Sequence, residues 1–151
     1  MTEVESFGSC PASTDDVDRL HSEAGITAVV NVQTDDDFTP WEINWPQLEA
    51  HYRAVGIELR RVPVEDFNPD ALREGLPGCV DVVDELMKRG HTIYIHCSAG
   101  INRSPSVAIA YLHWIEGRSL DDAVMHVTTC RICNPYVEAI RLATAARRGG
   151  S

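Results

Sequence analysis

The sequence predicts an α/β fold: a single-domain α/β/α layer sandwich with a central, mostly parallel sheet flanked by helices. Three observations predict it. Short apolar runs of strand length alternate with helical segments, and glycines or capping residues close most of those segments. One apolar run, Thr92 to Ile95, ends in a small-residue loop that opens straight into a helix start. The 151 residues suit one domain, expected to span 1–151, and a chain of this size buries roughly two thirds of its unfolded surface.

The elements follow in order. "TDDVDRLHSEAG" reads as a short helix, with Thr14 as N-cap, acids in its first turn and Gly25 at its end. Ile26 to Gln33 reads as a buried strand. "TDDDFTPWEINW" is turn-like, and its acidic run Asp35 to Asp37 reads as a solubilising surface turn. Leu48 to Val55 restores helical spacing and closes at Gly56. Ile57 to Val64 is a second strand, with Pro63 marking a sheet edge or a strand end. "EDFNPD" is then a loop feeding a helix, with Asn68 as N-cap and Pro69 at the first helical position.

That helix spaces Leu72, Leu76, Val80, Val83 and Met87 by threes and fours, with Gly75 and Pro77 as expected points of breakage and Gly90 as its stop. Thr92 to Ile95 is the third strand. "RSPSVAIAYLHWIEG" is a largely buried helix from Arg103 to the stop at Gly117. Two more helices begin at Ser119 and near Pro135.

Composition excludes several classes of function. A hydrophobic fraction of 44% and a charged fraction of 24% are those of an ordinary globular chain. No apolar run reaches the roughly twenty residues of a spanning helix. "MTEVESFGSC" lacks the basic start and apolar core of a leader, so a cytoplasmic location is expected. The net charge of −10 has the wrong sign for a nucleic-acid groove or an anionic membrane. A monomer without a cofactor is expected. The five cysteines, Cys10, Cys79, Cys97, Cys130 and Cys133, are an odd, irregular set that reads as reduced thiols.

The chemistry concentrates in "HCSAGINRS", His96 to Ser104. A strand end feeding a helix start aims several backbone N–H groups at one point and adds the helix dipole, which binds an oxyanion. Cys97 stands at the base of that cradle, where the N–H groups and Arg103 favour its thiolate. Arg103 grips two oxygens of a phosphate side by side. Ser98, Ala99 and Gly100 keep bulk away from the anion, and Gly100 and Asn102 suit positive φ. His96 fixes the Cys97 backbone, and Ser104 donates to the sulfur.

His-Cys-x5-Arg-Ser resembles the phosphate-binding loop of the cysteine-dependent protein tyrosine phosphatases, and the chain is similar to their dual-specificity branch. The resemblance implies the fold of that family and two-step hydrolysis through a phosphocysteine. It also implies a general acid on a loop roughly thirty residues before the nucleophile. "VEDFN" occupies that place, with Asp66 as the acid and Glu65 or Asp70 as alternatives.

"GSCPASTDDVDRL", "EDFNPDALREGLP", "HCSAG" and "CRICNPYVEAIRLAT" are similar to the starch-excess-type glucan phosphatases and, more distantly, to laforin. Asn102 stands where the loop of that subfamily usually carries a second glycine, and no carbohydrate-binding module is expected within 151 residues. By this analogy Phe67 lines the substrate groove, with Ser98 to Arg103, Ile101 included, holding the phosphate. Trp41 or Trp45 would add a stacking face. The partner implied is a phosphorylated protein or a phosphoglucan; neutral Ile101 and Asn102 disfavour a phosphoinositide. Two other readings remain open at this point. One is a catalytically silent phosphate-binding scaffold. The other is a metal or thiol-redox protein built on His126, Cys130 and Cys133.

Overall fold

Four short strands lie side by side, all parallel, in the order β1 (Phe7–Gly8), β4 (Ile93–His96), β2 (Ala28–Asn31), β3 (Glu58–Arg61). This is a computed structural model, and it describes residues 7–149. Met1 to Ser6, within the stretch read for a leader, lie outside those residues. Among the described residues no helix is long and apolar enough to cross a membrane.

Strand periodicity builds the layers. Successive side chains point to opposite faces of a sheet. Ala28 and Val30 of β2, with Ile93 and Ile95 of β4, therefore enter one core, together with Leu72, Leu76, Val80 and Val83 of α3 (Pro69–Lys88) and Ile109 and Leu112 of α4 (Arg103–Trp114). Val29 and Tyr94 face the other way, onto Val17 of α1 (Thr14–Ser22) and Leu48 and Tyr52 of α2 (Trp45–Val55). Helices α5 (Leu120–Cys130) and α6 (Val137–Gly149) add Ala123, Val127 and Ile140 to the first core. The α/β/α sandwich expected from the sequence is the observed one.

Several boundaries move. The N-cap of α1 is Ser13, whose hydroxyl accepts the N–H of Asp16 at 3.2 Å, because Thr14 already has helical geometry. Asn44 caps α2, which begins three residues before Leu48. β3 is one of the two edge strands and it ends at Arg61, short of Pro63, where an edge or a strand end was expected. Its Glu58 and Arg60 close an ion network with Glu85 of α3 and Arg89 at the C-cap of that helix. α3 is unbroken through Gly75 and Pro77. An internal proline costs about 3 kcal/mol, but Leu72, Leu76, Val80, Val83 and Leu86 are fully buried on both sides of it. Each such side chain contributes roughly 1.5–3 kcal/mol, so burial wins. β1 was not foreseen.

Because every strand runs the same way, the four loops that leave their carboxyl ends emerge on one rim of the sheet. That rim carries the site.

Candidate active site

The loop after β4 returns to the sheet through backbone contacts made by β1. Cys97 N–H donates to the Gly8 carbonyl at 3.4 Å, and Cys10 N–H donates to the Ser98 carbonyl at 2.8 Å. Gly100 sits at φ +75, and a Cβ there would collide with the Gly8 and Ser9 backbone, so glycine is required on two counts. Asn102 departs from expectation: its φ is −114, within reach of any residue, and its amide donates to Tyr136 Oη at 3.5 Å. Among the described residues nothing accepts a hydrogen bond from the N–H groups of Ser98 through Asn102. With the start of α4 at Arg103, they form an open anion cradle.

Cys97 lies under this cradle, 2% exposed. Its Sγ is 3.4 Å from Ser104 Oγ, and Ser104 Oγ donates to the Gly8 carbonyl at 3.2 Å. Ser104 has one hydroxyl proton, so the carbonyl and the sulfur compete for it. A thiol donates to the hydroxyl oxygen; a thiolate draws the proton to itself.

His96 meets the backbone of Cys97. Its Nδ1 is 3.1 Å from the Cys97 carbonyl, and since a carbonyl only accepts, that nitrogen carries the proton. Nε2 is buried without a partner. Burial, reinforced by the positive charges of Arg103 and Arg61, lowers the imidazole to about 4 despite the bond to the carbonyl, so the ring is neutral at pH 7.

Arg103 is 1% exposed. Its Nη1 donates to Asp37 Oδ2 at 2.8 Å and to the Val64 carbonyl at 2.9 Å, and its Nη2 donates to Ser98 Oγ at 3.3 Å. Gln33 Nε2 donates to the same Ser98 hydroxyl at 3.1 Å. Ser98 therefore braces the arginine from within the loop. Asp66 also reaches Arg103, Oδ2 to Nη2, at 3.3 Å. Of the three acids considered, only Asp66 enters the cleft; Glu65 and Asp70 are exposed, and Asp70 lies 3.9 Å from Arg73.

The cleft is about 170 Å³, lined by Asp66, Phe67, Cys97, Ala99, Ile101, Asn102 and Arg103. Phe67 forms its rim, 80% exposed. It holds φ +55, with its N–H donating to Asp66 Oδ1 at 3.0 Å. Positive φ is uncommon outside glycine, and here it turns the ring outward beside the acid. Neither tryptophan lines the cleft. Trp45 is instead stacked on Phe38 at 4.8 Å, under the guanidinium of Arg61.

Sequence reasoning missed Asp37 and Gln33. The acidic run is not a free surface turn: Asp35 pairs with Arg61 at 3.0 Å, and Asp37 turns inward to Arg103. The signal was present as Thr-x-x-Asp, Thr34 to Asp37, a capping-box pattern in which the Thr34 N–H and hydroxyl both donate to Asp37 Oδ2.

The remaining cysteines are free thiols. Burial pushes Cys10 to about 11 and Cys79 to about 12, leaving them protonated and unreactive. Cys130 Sγ approaches His126 Nε2 at 4.0 Å, but among the described residues no group of three His, Cys, Asp or Glu side chains is placed to hold a metal ion.

The family profile described as the dual specificity phosphatase catalytic domain matches residues 7–140. The chain belongs to that family. Among relatives of this dual specificity phosphatase domain is the chloroplastic phosphoglucan phosphatase LSF1 of Arabidopsis thaliana, 35% identical over 95% of this chain and 24% of its own length. Laforin of Mus musculus is 31% identical over 76% of this chain and 38% of its own. The domain thus spans well under half the length of these relatives. Among solved structures, kinase associated phosphatase superposes with a TM-score of 0.77 at 18% identity, over 95% of this chain and 85% of that one. At that identity the likeness is one of fold.

Proposed function

We propose that this phosphatase domain hydrolyses phosphate monoesters through a phosphocysteine. The observation that carries the reading is the convergence of Cys97, Arg103 and Asp66 on one cleft, beneath N–H groups that have no partner among the described residues. Cys97 sulfur attacks phosphorus in line with the ester oxygen, and the S–P bond forms as the P–O bond breaks. The loop N–H groups and Arg103 hold the equatorial oxygens, where charge accumulates. Asp66 gives its proton to the departing oxygen, then takes one from the water that cleaves the S–P bond. Ser104 turns its proton toward the sulfur as that bond breaks. In this scheme protein groups supply every proton and charge, so turnover is expected in the presence of a chelator.

For the substrate we favour a phosphorylated glucan. Among the described residues that line the cleft Arg103 is the one cation, and the rim offers the exposed flat ring of Phe67 and the side chain of Ile101. Such a surface suits the apolar faces of sugar rings better than a second phosphate. Relatives named as phosphoglucan phosphatases support the same choice. A phosphoprotein is the second reading, favoured by the likeness to human dual specificity protein phosphatase 1, 31% identical over 66% of this chain.

The test is phosphate release in EDTA from phosphorylated amylopectin and from a phosphotyrosine peptide, side by side. Wild type is expected to act on both with preference for the glucan, and Cys97→Ser to bind but release nothing. Preference for the peptide selects the second reading. Substantial turnover by Cys97→Ser would end the phosphocysteine mechanism.

A further inference from the structure

Arginine offers an anion two hydrogen bonds only if the right edge of its guanidinium faces the anion. In Arg103 both hydrogens of Nη1 are spent, on Asp37 Oδ2 and on the Val64 carbonyl. Nη1 lies on the Cδ side of the group, so the opposite edge, Nε–H with one Nη2–H, remains for a ligand. Nε is buried and without a partner. An unspent donor on a side chain 1% exposed marks the edge kept for phosphate.

We infer that Asp37 is a positioning residue for the reaction: by anchoring Nη1 it sets which edge of Arg103 faces the cleft. This rests on the phosphatase reading above for its consequence, though not for its geometry. Asp66 is not that anchor, because it meets Nη2 at 3.3 Å and leaves Nη1 to Asp37 and the Val64 carbonyl.

Asp37 is itself held. Thr34 donates to the same Oδ2 through its N–H at 2.8 Å and its hydroxyl at 3.2 Å. The segment around it is clamped by Arg61, which donates to Asp35 Oδ1 at 3.0 Å and to the Gln33 carbonyl at 2.9 Å. The same guanidinium lies 5.1 Å from the Phe38 ring centroid and 5.0 Å from that of Trp45. Burial alone would push the Asp37 carboxyl up, but the bonds from Arg103 and Thr34 outweigh it and hold the group below the usual carboxylate range. The anchor is an anion at neutral pH.

A misplacement of about 1 Å at a positioned group costs on the order of a hundredfold in rate. Asp37→Ala is therefore expected to lower kcat/KM by about that factor. Asp37→Asn, which keeps size and an acceptor oxygen, falls between it and wild type. The decisive readout is independent of turnover. Cys97 sulfur displaces iodide from both iodoacetate and iodoacetamide, but only the former carries an anion for the loop and Arg103 to seat. Wild type should prefer iodoacetate, and both variants should lose roughly fivefold or more of that preference while reacting normally with iodoacetamide. A preference that survives both substitutions, or its absence from wild type, overturns the inference. So does a parallel fall with both reagents, which marks a purely structural role. If wild type turns over no ester yet the preference depends on Asp37, the positioning stands and the phosphatase reading fails. If wild type turns over and the variants keep both turnover and preference, the positioning fails alone.

Discussion

His96 is a neutral imidazole packed against Tyr94, 5.9 Å between ring centroids, and joined directly to Cys97 in the chain. Its folded value of about 4 lies below its ordinary 6.5. Between those values the unfolded chain takes up a proton that the native chain refuses. Stability is therefore full above about pH 6.5 and falls as the pH drops through this window, by on the order of 3 kcal/mol in total. Urea unfolding midpoints at pH 7, 5.5 and 4.5 check this: the decline should be marked in wild type and flattened in His96→Asn. Asp37, lowered from 3.8, adds its own loss only below that range, because its bonds to Arg103 and Thr34 require the carboxylate. The sequence pointed to Cys97 and Arg103 through the spacing of the loop and to Asp66 through the family resemblance, and the structure brings the three to one cleft. Asp37 was not legible, since three successive aspartates look alike in a string, and only burial decides which one turns inward.

Helix α3 shows what the next scale adds. Amphipathic spacing made it readable, yet Gly75 and Pro77 argued for a break. The structure answers with burial on both sides of the proline. Gly75 has a positive use: a Cβ there would press on Val64 Cγ2 at 2.9 Å, and Val64 supplies the carbonyl that anchors Arg103. Pro77, half-buried, has no such use. Pro77→Ala is expected to stabilise the fold by about 1–2 kcal/mol, part of the usual proline cost of about 3, as a higher thermal midpoint with unchanged turnover. A lower midpoint would mean that the ring packs better than the helix tolerates. β1 escaped the sequence altogether, because two residues make no period. Its only trace was Gly8, where a Cβ would collide with Arg131 and press on the Tyr94 hydroxyl.

For the whole molecule, the alternation of buried runs and helices was enough to give the sandwich, but not the strand order. That order brings four strand ends together around the anion loop that follows β4: Gly8 at the end of β1 and Cys10 beyond it, with Gln33 after β2, bond the loop and its flanks, while Asp37 after β2 and Val64 and Asp66 after β3 meet Arg103. The net charge of −10 surrounds that basic centre. A dianionic ester approaches against the long-range field, so kcat/KM for a small aryl phosphate should rise as ionic strength goes from about 10 to 150 mM, where screening shortens to roughly 8 Å. A falling profile would show that Arg103 dominates the field outside the cleft.

The bond from Ser104 to the Gly8 carbonyl spans 96 positions of sequence. Closing so long a loop is among the slower and entropically costlier events of folding. The surroundings of Cys97 therefore depend on long-range closure of the chain rather than on local propensity. A chain still emerging during synthesis has no floor under its anion loop until α4 is free to reach back. Catalytic competence would then arrive together with the completed fold, and a destabilised variant would lose both at once.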